Sequence, residues 1–209
     1  MLYAYLKGDP MTESDASHRL HAGEVIRDRE LTPVTGPTIR LLQPGHLVHL
    51  QFRRFAGCPV CNLHLRSIVR RHAEIEAAGI REVVLFHSPA DELREYTPDL
   101  PFAVIADPDR RLYVEFGVES AKRALLNPRV WGTIVRAVLR NAWGIVRGRE
   151  RAPAAMPHGG RFGLPADFLI AADGTILACK YGDHAYDQWP VDELLSLASQ
   201  APVLDDRLQ

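Results

Sequence analysis

Two cysteines separated by two residues, Cys58-Pro59-Val60-Cys61, stand between an apolar run ending at Phe52 and the start of a helical pattern. That placement constrains the chain more than any other feature. Proline is preorganised for the first turn of a helix, so Pro59 marks the first helical residue and Cys58 the position just before it. Backbone N–H groups there have no helical partner and the dipole end is positive, which favours a thiolate at Cys58. Cys61, one turn on, is spaced to close a disulfide with it. Gly57 lets the backbone turn sharply before the helix, and Arg53 and Arg54 bring positive charge to the same place.

The surrounding pattern alternates strands with helices. Thr38–Leu42 and Leu47–Phe52 read as strands, with Gln43-Pro44-Gly45 as turn chemistry between them. The helix beginning at Cys58 carries apolar residues through Ile75 and ends at Gly79, a C-terminal cap. Glu82–His87 is a further strand, Ser88-Pro89-Ala90-Asp91-Glu92-Leu93 a capped helix start, and Phe102–Ala106 another strand. Asp167–Ile170 and Thr175–Lys180 flank an Asp173-Gly174 turn as a hairpin. Val191–Ala198 closes the pattern as an amphipathic helix. Such alternation predicts a layered α/β fold with parallel pairing. A Cys-x-x-Cys pair in that frame is the mark of a thioredoxin-like redox motif.

Residues 121–151 have a different texture. Leu125, Leu126, Trp131, Ile134, Val138 and Trp143 recur among eight basic residues and one acid, Glu150. This predicts an amphipathic basic helical insertion within a domain spanning 23–200, preceded by a loosely ordered segment 1–22 and followed by a tail 201–209. The sequence around Met1 lacks the charged start and apolar stretch of a secretory signal, which predicts a cytoplasmic protein. A net charge of −1 gives no footprint for nucleic acid. Three cysteines are too few for a disulfide framework. Zinc normally takes four ligands, and beyond the pair only Cys179 and scattered histidines such as His64 remain, so no metal and no other cofactor is expected. Cys179, inside a strand, reads as an inert core thiol.

Phe52-Arg53-Arg54-Phe55-Ala56-Gly57-Cys58-Pro59-Val60-Cys61, placed after a strand, resembles the peroxiredoxin-like branch of the alkyl hydroperoxide reductase C/thiol-specific antioxidant (AhpC/TSA) family. The likeness continues from Phe102 to Gly117 and from Leu164 to Gly174. It implies a thioredoxin-like fold, a central mixed β-sheet flanked by helices. It also implies an oxidoreductase with Cys58 as nucleophile and Cys61 as resolving thiol, a peroxide or disulfide as substrate, and an external thiol reductant of the thioredoxin or glutathione type. Phe55, Gly57, Pro59, Arg54 and Pro165 would shape the site.

Two departures from the family pattern bear on the chemistry. Phe55 stands where typical members carry a Thr or Ser hydroxyl three residues before the cysteine. Pro165 stands about where they carry an arginine, with Arg161 a weak substitute, and it resembles instead the cis-proline that faces the thiols in thioredoxins. Tyr181-Gly182-Asp183-His184 resembles a tail pattern of this branch, and His184 would join the site only if the fold returns it there. Peroxide reduction and disulfide exchange both stay open. So does a different class of function, a non-enzymatic redox-sensing protein that docks a partner or an anionic membrane through the basic insertion, which could also form a homodimer contact.

Overall fold

The computed structural model describes residues 19–97, 100–118 and 163–201, together with residues 132, 135, 136, 138–140, 143 and 147. Most of the expected segment 1–22, most of the insertion and its connections, Arg161 and the tail from 202 lie outside the described residues. Strand β1 (Glu30–Leu31) pairs antiparallel with β2 (Ile39–Arg40) as a small ribbon. The expected strand at 38–42 is therefore shorter than its pattern suggests. Its backbone is taken by side chains instead: the Asp28 carboxylate accepts the Leu42 N–H at 2.9 Å, and the Arg81 guanidinium donates to the carbonyls of Arg40 and Leu41.

The main sheet has five strands in the order β5-β4-β3-β6-β7: β3 (Leu47–Arg53), β4 (Ile80–Phe86), β5 (Ala103–Ala106), β6 (Ala166–Ile170) and β7 (Ile176–Tyr181). β3, β4 and β5 run parallel, β6 runs antiparallel to β3, and β7 runs antiparallel to β6. The sheet is mixed, as expected. The β3–β4 crossover holds α1 (Pro59–Arg70) and α2 (His72–Ala77), the β4–β5 crossover α3 (Ala90–Tyr96). α4 (Arg111–Glu115) follows β5 and α5 (Val191–Ser199) follows β7. The single helix expected from 58 to 79 is two, because Arg71 leaves helical geometry at φ −116° and ψ 18° and its side chain bonds Glu74 of α2 and Asp192 of α5.

β3 is buried along its whole length, and its alternation sorts two very different faces. Val48, Leu50 and Phe52 enter an apolar core in which Phe52 meets Tyr113 edge-on at 5.0 Å and Phe116 and Phe168 pack beside them. His49, Gln51 and Arg53 point the other way. An alternating strand usually keeps its polar face wet. Here that face is sealed, and its polar groups bond one another. Arg53 Nη2 donates to Asp167 Oδ1 at 2.6 Å, and Arg53 also bonds the Gln51 side-chain carbonyl oxygen. The Gln51 amide donates to Glu82, and His49 reaches Glu82 through Nδ1 at 2.9 Å and Asp167 through Nε2 at 3.2 Å. His64 of α1 lies above, with Nε2 3.2 Å from Arg53 Nη2.

The two histidines titrate in opposite directions. Burial opposes a charge on His49, yet Glu82 and Asp167 on its two nitrogens outweigh that and hold it up to about 9. Burial together with the Arg53 cation pushes His64 down to about 3, leaving Nε2 as an acceptor. An unfolded histidine titrates near 6.5. His49 therefore contributes stability that is complete below pH 6.5 and is lost as pH rises through 9. His64 binds its proton more readily in the unfolded chain, so stability also falls as pH drops from 6.5 toward 3. In Cys58→Ser, where no depressed thiol opposes the alkaline loss, denaturation midpoints should peak near pH 6.5, with losses on the order of 3 kcal/mol on either side. His64→Leu should flatten the acid limb and leave the alkaline one, and a profile that is flat from pH 4 to 9 would contradict this assignment.

Candidate functional site: the cysteine pair at the start of α1

The chain leaves β3 at Arg53 and reaches α1 through Arg54, Phe55, Ala56 and Gly57. Cys58 N–H bonds the Phe55 carbonyl at 3.2 Å, so these residues form a tight turn. Gly57 has φ +71°, in the left-handed region, and a Cβ there would lie 2.7 Å from the Tyr96 ring of α3. Both constraints select glycine. Gly57→Ala should cost about 2 kcal/mol through backbone strain and the displaced ring, read as a lower denaturant midpoint with an unchanged slope. An unaltered midpoint would mean that the turn relaxes without cost.

Cys58 is the N-cap of α1 and Pro59 its first helical residue, as the sequence predicts. The Cys61 N–H points to Cys58 Sγ at 3.5 Å, and Asn62 N–H bonds the Cys58 carbonyl at 2.9 Å. Both cysteines are free thiols, buried among Val34, Phe55, Leu65 and Leu93. Burial raises both thiols, but the other influences split them. At Cys58 the Cys61 thiol as donor, the Arg54 guanidinium and the backbone N–H groups of Cys61 and Val60 outweigh burial and bring it down to about 6. At Cys61 burial and the charge forming on Cys58 push the thiol well up. One sulfur is thus set to ionise near neutrality while its neighbour keeps a proton.

Arg54 and Arg53 separate sharply. The Arg54 guanidinium lies over the Phe55 ring, 5.3 Å from its centre, and acts on both thiols. Arg53 instead is consumed by Asp167 and the polar layer, so it is not the thiol cation that its position suggests. Phe55 supplies the apolar surface on which Arg54 rests. Pro165 precedes β6, its carbonyl accepting the Gly182 N–H at 2.9 Å, and Gly163, two residues before it, approaches the Arg54 stem. No peptide bond among the described residues is cis, so the likeness of Pro165 to a cis-proline does not hold. The segment after β7 does return to the cysteines: Ala185 and Tyr186, which follow His184 in the chain, pack into their cluster.

Three contributors were not evident from sequence reasoning. Ser88 looks like a helix cap, but the N-cap of α3 is Pro89, without a side-chain bond. The Ser88 hydroxyl instead accepts the Ala56 N–H at 2.9 Å. It therefore holds the turn before Cys58. Tyr113 donates its hydroxyl to the carbonyls of Arg53 and Leu85, tying together β3 and β4 where the site begins. Asp167 anchors the layer beneath α1. Cys179 sits on β7, half-buried, with Sγ 3.5 Å from the Leu20 carbonyl. Among the described residues no group of three His, Cys, Asp or Glu side chains is placed to hold a metal ion.

A mixed sheet of this order, with a cysteine pair at the start of the helix after its central strand, defines a thioredoxin-like α/β protein. Residues 67–184, more than half of the chain, match the family described as AhpC/TSA antioxidant enzyme. The chain belongs to that family, and the resemblance read from the residues is correct. Solved structures agree in fold. Peroxidoxin BcpB from Mycobacterium tuberculosis superposes with a TM-score of 0.61 at 16% identity, covering 88% of this chain and 99% of that one. A cysteine-to-serine mutant of the peroxiredoxin 6 of Arenicola marina gives 0.60 at 17%, covering 86% and 72%. A putative thiol:disulfide interchange protein DsbE from Chlorobium tepidum gives 0.53 at 19%, covering 88% and 99%. No curated protein matches the sequence. The matched family segment begins after Cys61 and does not include the two cysteines.

Proposed function

We propose that the chain is a thiol-dependent oxidoreductase that cycles Cys58 and Cys61 between dithiol and disulfide. One observation carries the reading: two thiols on one helical turn, the first drawn down to about 6 and the second pushed up. The Cys58 thiolate attacks a sulfur of a disulfide or an oxygen of a peroxide. A disulfide gives a mixed disulfide and expels a thiolate, whereas a peroxide gives a sulfenic acid and expels an alcohol or water. Cys61, losing its proton, then attacks Cys58 sulfur and closes the intramolecular bond. An external thiol of the thioredoxin or glutathione type returns two electrons.

Disulfide exchange is the better supported of the two reactions. Phe55 offers no hydroxyl to orient a peroxide, and the cation beside the thiols comes from Arg54 in the preceding turn. Oxidation by a small disulfide and by hydrogen peroxide, each followed by intact-mass and peptide mapping, tests the reading. A Cys58–Cys61 bond should form with the disulfide, faster than with peroxide. Failure of both oxidants to produce it would overturn the proposal. The basic insertion supports a second role, docking to an anionic membrane, because Val135, Leu139 and Trp143 are exposed there and Arg147 lies over the Trp143 ring. Leu139→Ser with Trp143→Ser should then abolish co-sedimentation with anionic vesicles. Among the described residues no helix is long and apolar enough to cross a membrane.

A further inference from the structure

We propose, resting on the disulfide-exchange reading above, that the groove between α1 and α3 seats the carboxylate-bearing arm of a low-molecular-weight disulfide substrate. The groove has a volume of about 340 Å³, and Arg66 and Arg70 from α1 and Arg140 from the insertion supply its charge. Val69 and Leu100 give it apolar walls, and none of the residues lining it is acidic. Tyr96 forms its remaining side and lays its ring against Gly57, the residue before Cys58. One ring, that of Tyr96, thus walls the groove and meets the turn that positions the nucleophile. Its volume lies at the lower end of ligand clefts, about 300–1,000 Å³. The Arg70 and Arg140 guanidinium groups beside an apolar floor are complementary to an anion on a short apolar stem, and the planar fork of arginine matches a carboxylate. A cationic or bulky uncharged arm has no such partner there.

In the exchange, the Cys58 thiolate bonds one sulfur of the bound disulfide and the S–S bond breaks. The first carboxylate-bearing thiolate leaves and takes up a proton. Cys61 gives its own proton to the second leaving thiolate as it closes on Cys58. The protein loses two electrons and the disulfide becomes two thiols.

Three small disulfides of like chemistry and different charge test the assignment: anionic dithiodipropionate, neutral hydroxyethyl disulfide and cationic cystamine. Rates of Cys58–Cys61 bond formation at low ionic strength, each divided by the rate with a simple free thiol, should fall in that order. The anionic compound should lead the cationic one by about tenfold or more, a gap that shrinks with added salt. In Arg70→Ser/Arg140→Ser that ratio should move toward one, and in Arg70→Lys/Arg140→Lys most of it should remain. Equal normalised rates in the wild type, or a ratio that the serine pair leaves intact and so assigns to Arg54, would overturn the proposal. If none of the three oxidises the thiols, the exchange reading itself fails. Equilibrium binding of dithiodipropionate to Cys58→Ser then still decides the groove: binding lost in the serine pair supports it, and no binding refutes it.

Discussion

Cys58→Ser should abolish disulfide and peroxide turnover alike, by on the order of a thousandfold or more. No other thiol in the site can take over. A serine hydroxyl at the same helix terminus stays protonated at neutral pH, and the neighbouring Cys61 is pushed up by burial, without the full set of donors that lowers Cys58. Cys61→Ser should behave differently. Its Cys58 can still attack, so one equivalent of substrate thiol is released and the adduct remains on the protein as a mixed disulfide. Initial rates and intact masses of the two variants separate these outcomes. Equal losses without a trapped adduct would show that the nucleophile is assigned wrongly.

The second large effect is on folding. Asp167→Ala should destabilise the domain by about 3–5 kcal/mol, the range found when one partner of a buried ion pair is removed. Burial raises the Asp167 carboxyl, but Arg53 and His49 outweigh that and hold it below the usual carboxylate range. Its loss leaves Arg53 charged, buried and short of its strongest partner. Replacing both, as Arg53→Met with Asp167→Leu, should recover a good part of the loss, because an apolar pair removes the desolvation cost together with the attraction. Chemical denaturation of the single and double variants measures this directly. A single variant as stable as the wild type would show that water or a neighbouring group compensates Arg53.

These two predictions rest on parts of the molecule that were unequally legible. The cysteine pair could be read because its chemistry is local: Pro59 fixes the helix start, and a terminus favours a thiolate wherever it occurs in a fold. Strands β3 to β7 and helices α1, α3 and α5 were legible for a similar reason, since their apolar periodicities are set within a few residues. The polar layer was not. His49, Gln51 and Arg53 alternate with Val48, Leu50 and Phe52 just as a half-solvated strand would. Only the packing of α1 and α5 over that face, with Glu82 and Asp167 brought in from neighbouring strands, reveals that it is buried.

Ser88 and the two arginines teach the same lesson at the scale of single residues. A serine followed by Pro89, Ala90 and Asp91 has the look of a helix cap, but which backbone group its hydroxyl reaches depends on the parallel register of β3 and β4. Arg53 and Arg54 are neighbours of one type, and strand alternation sends the first beneath α1 while the second, beyond the end of β3, lies on Phe55.

The most direct measurement is the pH dependence of thiolate formation at Cys58, followed by ultraviolet thiolate absorbance and by mapping which cysteine reacts first with iodoacetamide. A midpoint near pH 6 and modification of Cys58 ahead of Cys61 are expected. A midpoint close to that of an ordinary thiol, about 8.5, or first reaction at Cys61, would contradict the assignment of Cys58 as nucleophile.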